Sequence, residues 1–403
     1  MQLFDTLRGQ KAELKIPHDR PLTLYVCGVT PYDTTHVGHA HTFLVFDVLI
    51  RYIRSQGGQV RYCQNVTDVD DPLFERANRD GVAWQELAER EVAQYVQDCR
   101  ALNMIPPDFF PKASEEIGTM IPIIEKLVAI GHAYVRSGNV YYDVSKEPSY
   151  GEMARLEGYA ELLALANERG NNPDDPHKDD PLDFVLWQTG NPGDPTWPSP
   201  WGPGRPGWHI ECTAMSTRYL GPQIDIHGGG RDLIFPHHPS EIVQTEPATG
   251  VRPFVQFWVH GGLTWLDGQK MSKSLGNLVF IKDAVQQHPA DALRWYLLSF
   301  PYREDFEYVR ADVTAAEEQV ARLAAALAAR GGTGAALDAS EARAAYFAAL
   351  ADDLDTPGAL AQIDMLTTAI LETAGSGGDV AAAQAALREM AAVFGFWAGE
   401  RGA

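Results

Sequence analysis

The sequence predicts an α/β protein: a parallel-sheet domain reaching to about residue 300, followed by a C-terminal helical bundle over 301–403. Three observations carry this. Leu22 to Cys27 (LTLYVC) is a short apolar run bounded by a Gly/Thr/Pro loop at Gly28–Thr35. A helical pattern from His36 through Arg54 follows, with apolar positions at Phe43, Phe46, Val48, Leu49 and Ile53. Val60 to Val66 (VRYCQNV) is the next strand. Strand, loop, helix and strand in about 45 residues form a βαβ unit, which implies a parallel sheet with ligands at the carboxyl ends of its strands. Second, Ile224–Ile226 and Phe254–Val259 are further short buried strands. Third, the pattern from Asp291 onward is helical and Ala/Leu-rich, broken at Gly331–Gly334 and Gly375–Gly378.

Between these parts, residues 85–103 and 113–132 are predicted as helices and Asn139–Val144 as a strand. Residues 170–208, rich in Gly, Pro, Asp and Trp, are predicted as a long ordered loop, within an insertion spanning about 100–205. Apolar residues make up 45% and charged residues 22%, the balance of a soluble globular chain. No apolar run is long enough to span a bilayer, and Met1–Arg20 has no apolar signal core, so a cytoplasmic location and no membrane partner are expected. The net charge of −21 disfavours broad contact with nucleic-acid phosphates. Four cysteines (Cys27, Cys63, Cys99 and Cys212) in a long chain without a secretion signal do not form a disulfide framework.

Chemistry concentrates in three places. His36-Val37-Gly38-His39 follows a strand and opens a helix, where free N–H groups and the positive dipole end suit a phosphate. Lys270-Met271-Ser272-Lys273-Ser274, with Gly268 and Gly276 as hinges, places two ammonium groups where they can neutralise a pyrophosphate leaving group. Cys27, Cys212, His237 and Glu241 offer two thiolates, an imidazole and a carboxylate, a donor set suited to tetrahedral Zn²⁺. Their spacing alone does not prove a site; buried thiols and a helix-capping histidine are the commoner outcome of such a pattern.

Taken together, five stretches resemble the cysteinyl-tRNA synthetase superfamily of class I synthetases: YVCGVTPYDTTHVGH at 25–39, QNVTDVDDPLFERA at 64–77, GRPGWHIECTAM at 204–215, DIHGGGRDLIFPHH at 225–238 and KMSKSLGN at 270–277. The resemblance implies a Rossmann-type adenylating domain. It implies one Zn²⁺ per chain on Cys27, Cys212, His237 and Glu241, completed by the substrate thiolate, and ATP with Mg²⁺ as substrate. It gives catalytic roles to His36, His39, Lys270 and Lys273. Substrate or adenylate contacts would fall on Gly28, Thr30, Thr42, Asn65, Thr67 and Trp208, and on Gly228, Gly229, Gly230, Asp232 and Thr264. Asp232 would receive the α-ammonium, and the glycine run would let the nucleotide approach closely.

The superfamily has two branches, one charging tRNA and one joining cysteine to the amine of glucosaminyl-inositol in mycothiol synthesis. Thr30-Pro31-Tyr32-Asp33, His39, and Glu168-Arg169-Gly170-Asn171-Asn172-Pro173 resemble the second branch, although Asn171 and Asn172 depart from its pattern. The chain also stops soon after Phe396, where an anticodon-binding domain would begin. Glu241, His227 and Leu275 resemble the tRNA branch instead. The expectation is a monomer acting on L-cysteine, ATP and an amino-sugar acceptor. Charging of tRNA(Cys) is the alternative, and a non-catalytic cysteine- or adenylate-binding paralogue the third possibility.

Overall fold

A computed structural model of the chain describes residues 1–32, 35–156, 158–190, 193–272 and 275–400. The chain opens with an antiparallel pair, β1 (Gln2–Asp5) and β2 (Gln10–Glu13), beyond the elements predicted from sequence. The βαβ unit follows as β3 (Leu22–Val29), α1 (Val37–Ser55) and β4 (Val60–Val66). Helix α1 begins one residue later than expected, because His36 has extended backbone and acts as its N-cap. Buried positions surround α1 on most sides, as expected for a helix enclosed between a sheet and other helices.

Three helices come next: α2 (Asp71–Asp80), α3 (Trp84–Ala101) and α4 (Ile117–Ala129). The predicted helix over 113–132 is shorter at both ends, since 113–115 forms a separate 3₁₀ turn. The region expected to be a long loop contains regular structure. An antiparallel sheet runs through β5 (Ala133–Arg136), β6 (Asn139–Tyr142), then, after α5 (Tyr159–Glu168), β7 (Phe184–Gln188) and β8 (Arg205–Pro206). Leu186 and Trp187 on β7 are fully buried, so burial overrides the Gly/Pro-rich surroundings.

The chain then re-enters the parallel sheet through α6 (Trp208–Leu220), β9 (Ile224–Gly230), α7 (His237–Thr249) and β10 (Val255–Gly261). The strand order is β10-β9-β3-β4, and every pairing is parallel. From the central pair, β3 leads outward to β4 on one side and β9 to β10 on the other. The carboxyl ends of β3 and β9 therefore flank a topological switch point, where open α/β sheets leave a crevice.

A small sheet follows, made by β11 (Thr264–Leu266), β12 (Gln269–Lys270), and, after α8 (Ile281–Gln287) and α9 (Ala290–Leu298), β13 (Phe306–Glu307). The remaining described residues form α10 (Arg310–Ala328), α11 (Ser340–Ala351), α12 (Thr356–Gly375), α13 (Ala381–Val393) and α14 (Trp397–Glu400). The run Asp352–Pro357 joins the two ends of the chain. Asp353 accepts from Phe4 N–H at 2.7 Å and from the Tyr302 hydroxyl at 2.8 Å, while Asp355 caps α12 by accepting from Gly358 N–H. Among the described residues, no helix is long and apolar enough to cross a membrane.

Candidate functional site

A cleft of about 320 Å³ opens at the switch point. Its floor is the end of β3. The pairing of β3 with β4 breaks register between Val26 and Val29, so Cys27 and Gly28 sit at an irregularity that turns their side toward the cleft. Gly28 has a steric reason to be glycine: a Cβ there would stand 1.7 Å from Asn65 O on β4. Its N–H donates to Asn65 Oδ1 at 2.8 Å, and Asn65 Nδ2 donates to Thr67 Oγ1 at 3.1 Å. Asn65 and Thr67 thus brace the floor from behind, both buried.

The two signature segments face one another across this cleft. His36 Nδ1 accepts from Gly38 N–H at 3.1 Å, and the rings of His36 and His39 stack with centroids 3.8 Å apart. His36 therefore lies just outside the helix rather than on its face, and one of the helix's first N–H groups is already engaged. Val37 N–H donates to Val279 O, and Ile281 N–H donates to Thr35 O, which fastens the start of α1 to the chain following the lysine loop. That loop closes on itself: Ser272 N–H donates to Asn277 Oδ1 at 2.9 Å, and Asn277 Nδ2 donates to Lys270 O at 3.2 Å. Gly268 and Gly276, the expected hinges, both have positive φ (73° and 67°). Lys270 borders the cleft. Asp33, Lys273 and Ser274 lie outside the described residues.

On the other wall stand Trp208, 40% exposed, and Asp232. Thr30, Thr42 and Thr264 also border the cleft, and Gly230 is the member of the glycine run that does so. Gly228 faces the other way: a Cβ there would meet the Phe46 ring of α1 at 2.1 Å. Its small size serves the packing of β9 on α1 rather than contact with a ligand in the cleft. Asp232 Oδ2 stands 3.9 Å from Lys270 Nζ and 3.9 Å from Arg169 Nη1, a cation from the segment after α5.

Beside the floor lies a dense set of buried donors. Cys27 Sγ and Cys212 Sγ are 3.8 Å apart, and His237 Nε2 is 3.2 Å from Glu241 Oε1. The donor atoms of Cys27, Cys212, His237 and Glu241 all lie within 4.8 Å of one another. Helix α7 brings the last two together because they stand four apart on one face. Burial pushes the Cys27 thiol and the Glu241 carboxyl well up and His237 well down. Burial thus favours their neutral forms, and a cation is what would favour the thiolate and carboxylate.

The donor geometry fits a tetrahedral ion. Bonds of about 2.3 Å to sulfur and 2.0–2.1 Å to nitrogen or oxygen place ligands about 3.3–3.8 Å apart. Glu241 Oε2 and His237 Nε2 are buried without a hydrogen-bond partner among the described residues. The other ring nitrogen of His237 is engaged at 2.8 Å by Nδ1 of His209, which orients Nε2 toward Glu241. Trp208 stacks on His237 at 4.1 Å and so connects the cleft to this cluster.

His227 and His238 also belong to the cluster, with Nε2 atoms 3.6 and 3.4 Å from Cys27 Sγ. In the sequence both stand inside motifs that carry the resemblance, with no site expected on either. The only available signal was the density of histidines at 225–238.

A cleft at a sheet switch point, with a stacked histidine pair on one side and a lysine loop on the other, is the arrangement of a nucleotide-using α/β enzyme. Residues 13–318 match the family model for the class I tRNA synthetase (C) catalytic domain. The chain belongs to the cysteinyl-tRNA synthetase superfamily of class I and is an ATP-dependent ligase. It is 47% identical over 356 residues to the L-cysteine:1D-myo-inositol 2-amino-2-deoxy-alpha-D-glucopyranoside ligase of Frankia alni, covering 88% of this chain and 85% of that one. It is 41% identical over 398 residues to the cysteine–tRNA ligase of Dehalococcoides mccartyi, covering 98% and 86%. The fold is shared with Mycobacterium tuberculosis methionyl-tRNA synthetase in complex with methionyl-adenylate, at a TM-score of 0.64 and 18% identity over 93% of this chain and 89% of that one.

Proposed function

We propose that this protein activates L-cysteine as cysteinyl-adenylate and passes it to the amine of 1D-myo-inositol 2-amino-2-deoxy-α-D-glucopyranoside. The observation that carries the cysteine reading is the buried thiol pair Cys27–Cys212, grouped with His237 and Glu241 beside the floor of the cleft, which Cys27 lines. A zinc ion held by these four residues would supply a soft Lewis acid that favours a thiol over a hydroxyl, and so cysteine over serine. Asp232 receives the α-ammonium. The substrate carboxylate attacks the α-phosphorus of Mg²⁺-bound ATP, and pyrophosphate leaves. His36, His39 and Lys270 hold the phosphates, with Lys273 as a fourth group from the same loop. These residues act by positioning and charge stabilisation, the main levers in such transfers. The acceptor amine then attacks the acyl carbon, forming an amide and releasing AMP and a proton.

Two observations favour the amino-sugar acceptor. Relatives named for it reach 47% identity, and the net charge of −21 opposes a polyanion the size of tRNA. The tRNA reading has its own support in Glu241 and in relatives named cysteine–tRNA ligase at up to 45% identity.

The test is cysteine-dependent ATP–pyrophosphate exchange on zinc-supplied protein, followed by transfer assays with each acceptor. Exchange with cysteine but not serine, and amide formation with the amino sugar, are expected. Charging of tRNA without amide formation would move the acceptor to the second branch. Absence of exchange from metal-replete protein would leave a binding paralogue.

A further inference from the structure

We infer that the buried cluster holds a second, mutually exclusive position for a divalent metal ion, formed by Cys27, His227, His238 and Glu241. This rests on the metal reading above and goes beyond it, since it adds two histidines and releases Cys212 and His237. The donor atoms of this second set also lie within 4.8 Å of one another, and all four residues are buried.

The individual distances are those of a ligand shell. Cys27 Sγ is 3.6 Å from His227 Nε2 and 3.4 Å from His238 Nε2, and His227 Nε2 is 3.4 Å from Glu241 Oε1. A tetrahedral ion with one sulfur and three lighter ligands sets such edges at about 3.3–3.6 Å. The two remaining edges to Glu241 Oε1, 3.9 Å from His238 and 4.0 Å from Cys27, are longer by a few tenths. The terminal torsion of a glutamate is broad and closes that gap.

The surroundings of His238 are those of a metal-binding imidazole. Its Nδ1 stands 2.7 Å from His260 Nε2, and His260 Nδ1 stands 2.8 Å from Thr6 Oγ1. When Nδ1–H of His238 donates to His260, and Nδ1–H of His260 donates to the Thr6 hydroxyl, Nε2 of His238 is a bare lone pair aimed at Cys27. A carbonyl, carboxylate or similar acceptor behind the ring is how proteins fix the tautomer of a ligating histidine. His227 is fixed by packing instead, between Tyr25 at 4.9 Å and Trp258 at 4.6 Å.

Both sets use Cys27 and Glu241, so one ion occupies one position at a time. The first set has two sulfurs and one nitrogen, the second one sulfur and two nitrogens. The second therefore suits the borderline first-row ions Co²⁺, Ni²⁺ and Zn²⁺, with the extra imidazole raising the relative claim of Co²⁺ and Ni²⁺.

Co²⁺ titration of the full-length chain tests this by its absorption spectrum. The parent protein is measured first; if it takes up no Co²⁺, the metal reading itself fails, and this inference with it. The variant Cys212→Ala/His237→Ala keeps the second set whole. It should bind one Co²⁺ per chain with the thiolate-to-cobalt absorption of a single sulfur, and adding His238→Phe should abolish that binding. A folded double variant that binds no Co²⁺, beside a parent that does, sinks this inference alone. If the double variant does not fold, Cys212→Ala with ¹⁵N-labelled histidine carries the test. Zn²⁺ should then shift Nε2 of both His227 and His238, and unchanged resonances would overturn the second position.

Discussion

At the scale of single residues, Asp232 holds two cations at a distance too long for strong pairing. Lys270 Nζ and Arg169 Nη1 are each 3.9 Å from its Oδ2, and all three side chains are partly exposed. Such contacts are weak, so on the proposed function an incoming ammonium would displace them at little cost and free Lys270 for phosphate. The variant Asp232→Ala should lower kcat/KM for cysteine in pyrophosphate exchange. A charge-assisted hydrogen bond contributes about 1.5–3 kcal/mol, which is about 10- to 150-fold, with a smaller change in the KM for ATP. A parallel loss in both substrates would mean that Asp232 orders the loop instead. Cys27, Asp232 and Lys270 stand in motifs that carry the family resemblance, and all three border the cleft. The grouping of His227, His238 and His260 was not legible in the sequence. Strand β9 brings His227 to Cys27, and α7 brings His238 against His260 of β10, so their grouping depends on strand order and helix placement. Nothing in local spacing encodes it.

At the scale of elements, the packing of α1 on the sheet is tightest against a glycine. Gly228 on β9 leaves room for the Phe46 ring of α1, and a Cβ would meet that ring at 2.1 Å. Phe46 is almost fully buried among core residues, so it has little space to yield. Gly228→Ala should destabilise the protein by about 1–3 kcal/mol through overpacking. The double variant Gly228→Ala/Phe46→Leu should recover part of that, and urea unfolding of the parent and both variants measures the two effects. No recovery would place the strain in the backbone of β9 instead. The βαβ unit was legible because its apolar periods are clean. In the sheet of β5 to β8, β6 was legible, as the strand expected over Asn139–Val144. Strands β7 and β8 were not, because they are short and set among Gly, Pro and Asp, and pairing makes them strands: β7 with β6 some 45 residues earlier, and β8 with β7.

At the scale of the whole molecule, one buried arginine ties the helix that opens at His36 to the C-terminal helices. Arg294 on α9 is fully buried. Its Nη2 meets Asp47 of α1 at 2.6 Å, Nη1 donates to Leu102 O at 2.6 Å, and Nε donates to Phe394 O at 2.9 Å. Helix α1, the segment after α3 and the end of α13 therefore converge on a single guanidinium. Burial lowers its pKa, and Asp47 is the main group opposing that. Among the described residues, removing the arginine takes the guanidinium from two carbonyls and leaves the buried carboxylate to Arg51 at 3.0 Å and Ile105 N–H at 2.8 Å. Arg294→Ala should thus cost about 3–5 kcal/mol, the range for breaking one side of a buried ion pair. Arg294→Lys should lose nearly as much, because an ammonium cannot serve three elements through a planar fork. Since the start of α1 carries His36 and His39, the loosened junction should also raise the KM for ATP while the ratio of cysteine to serine activation stays constant. A denaturation midpoint matching the parent protein would show that the helices are held to the sheet domain by apolar packing alone.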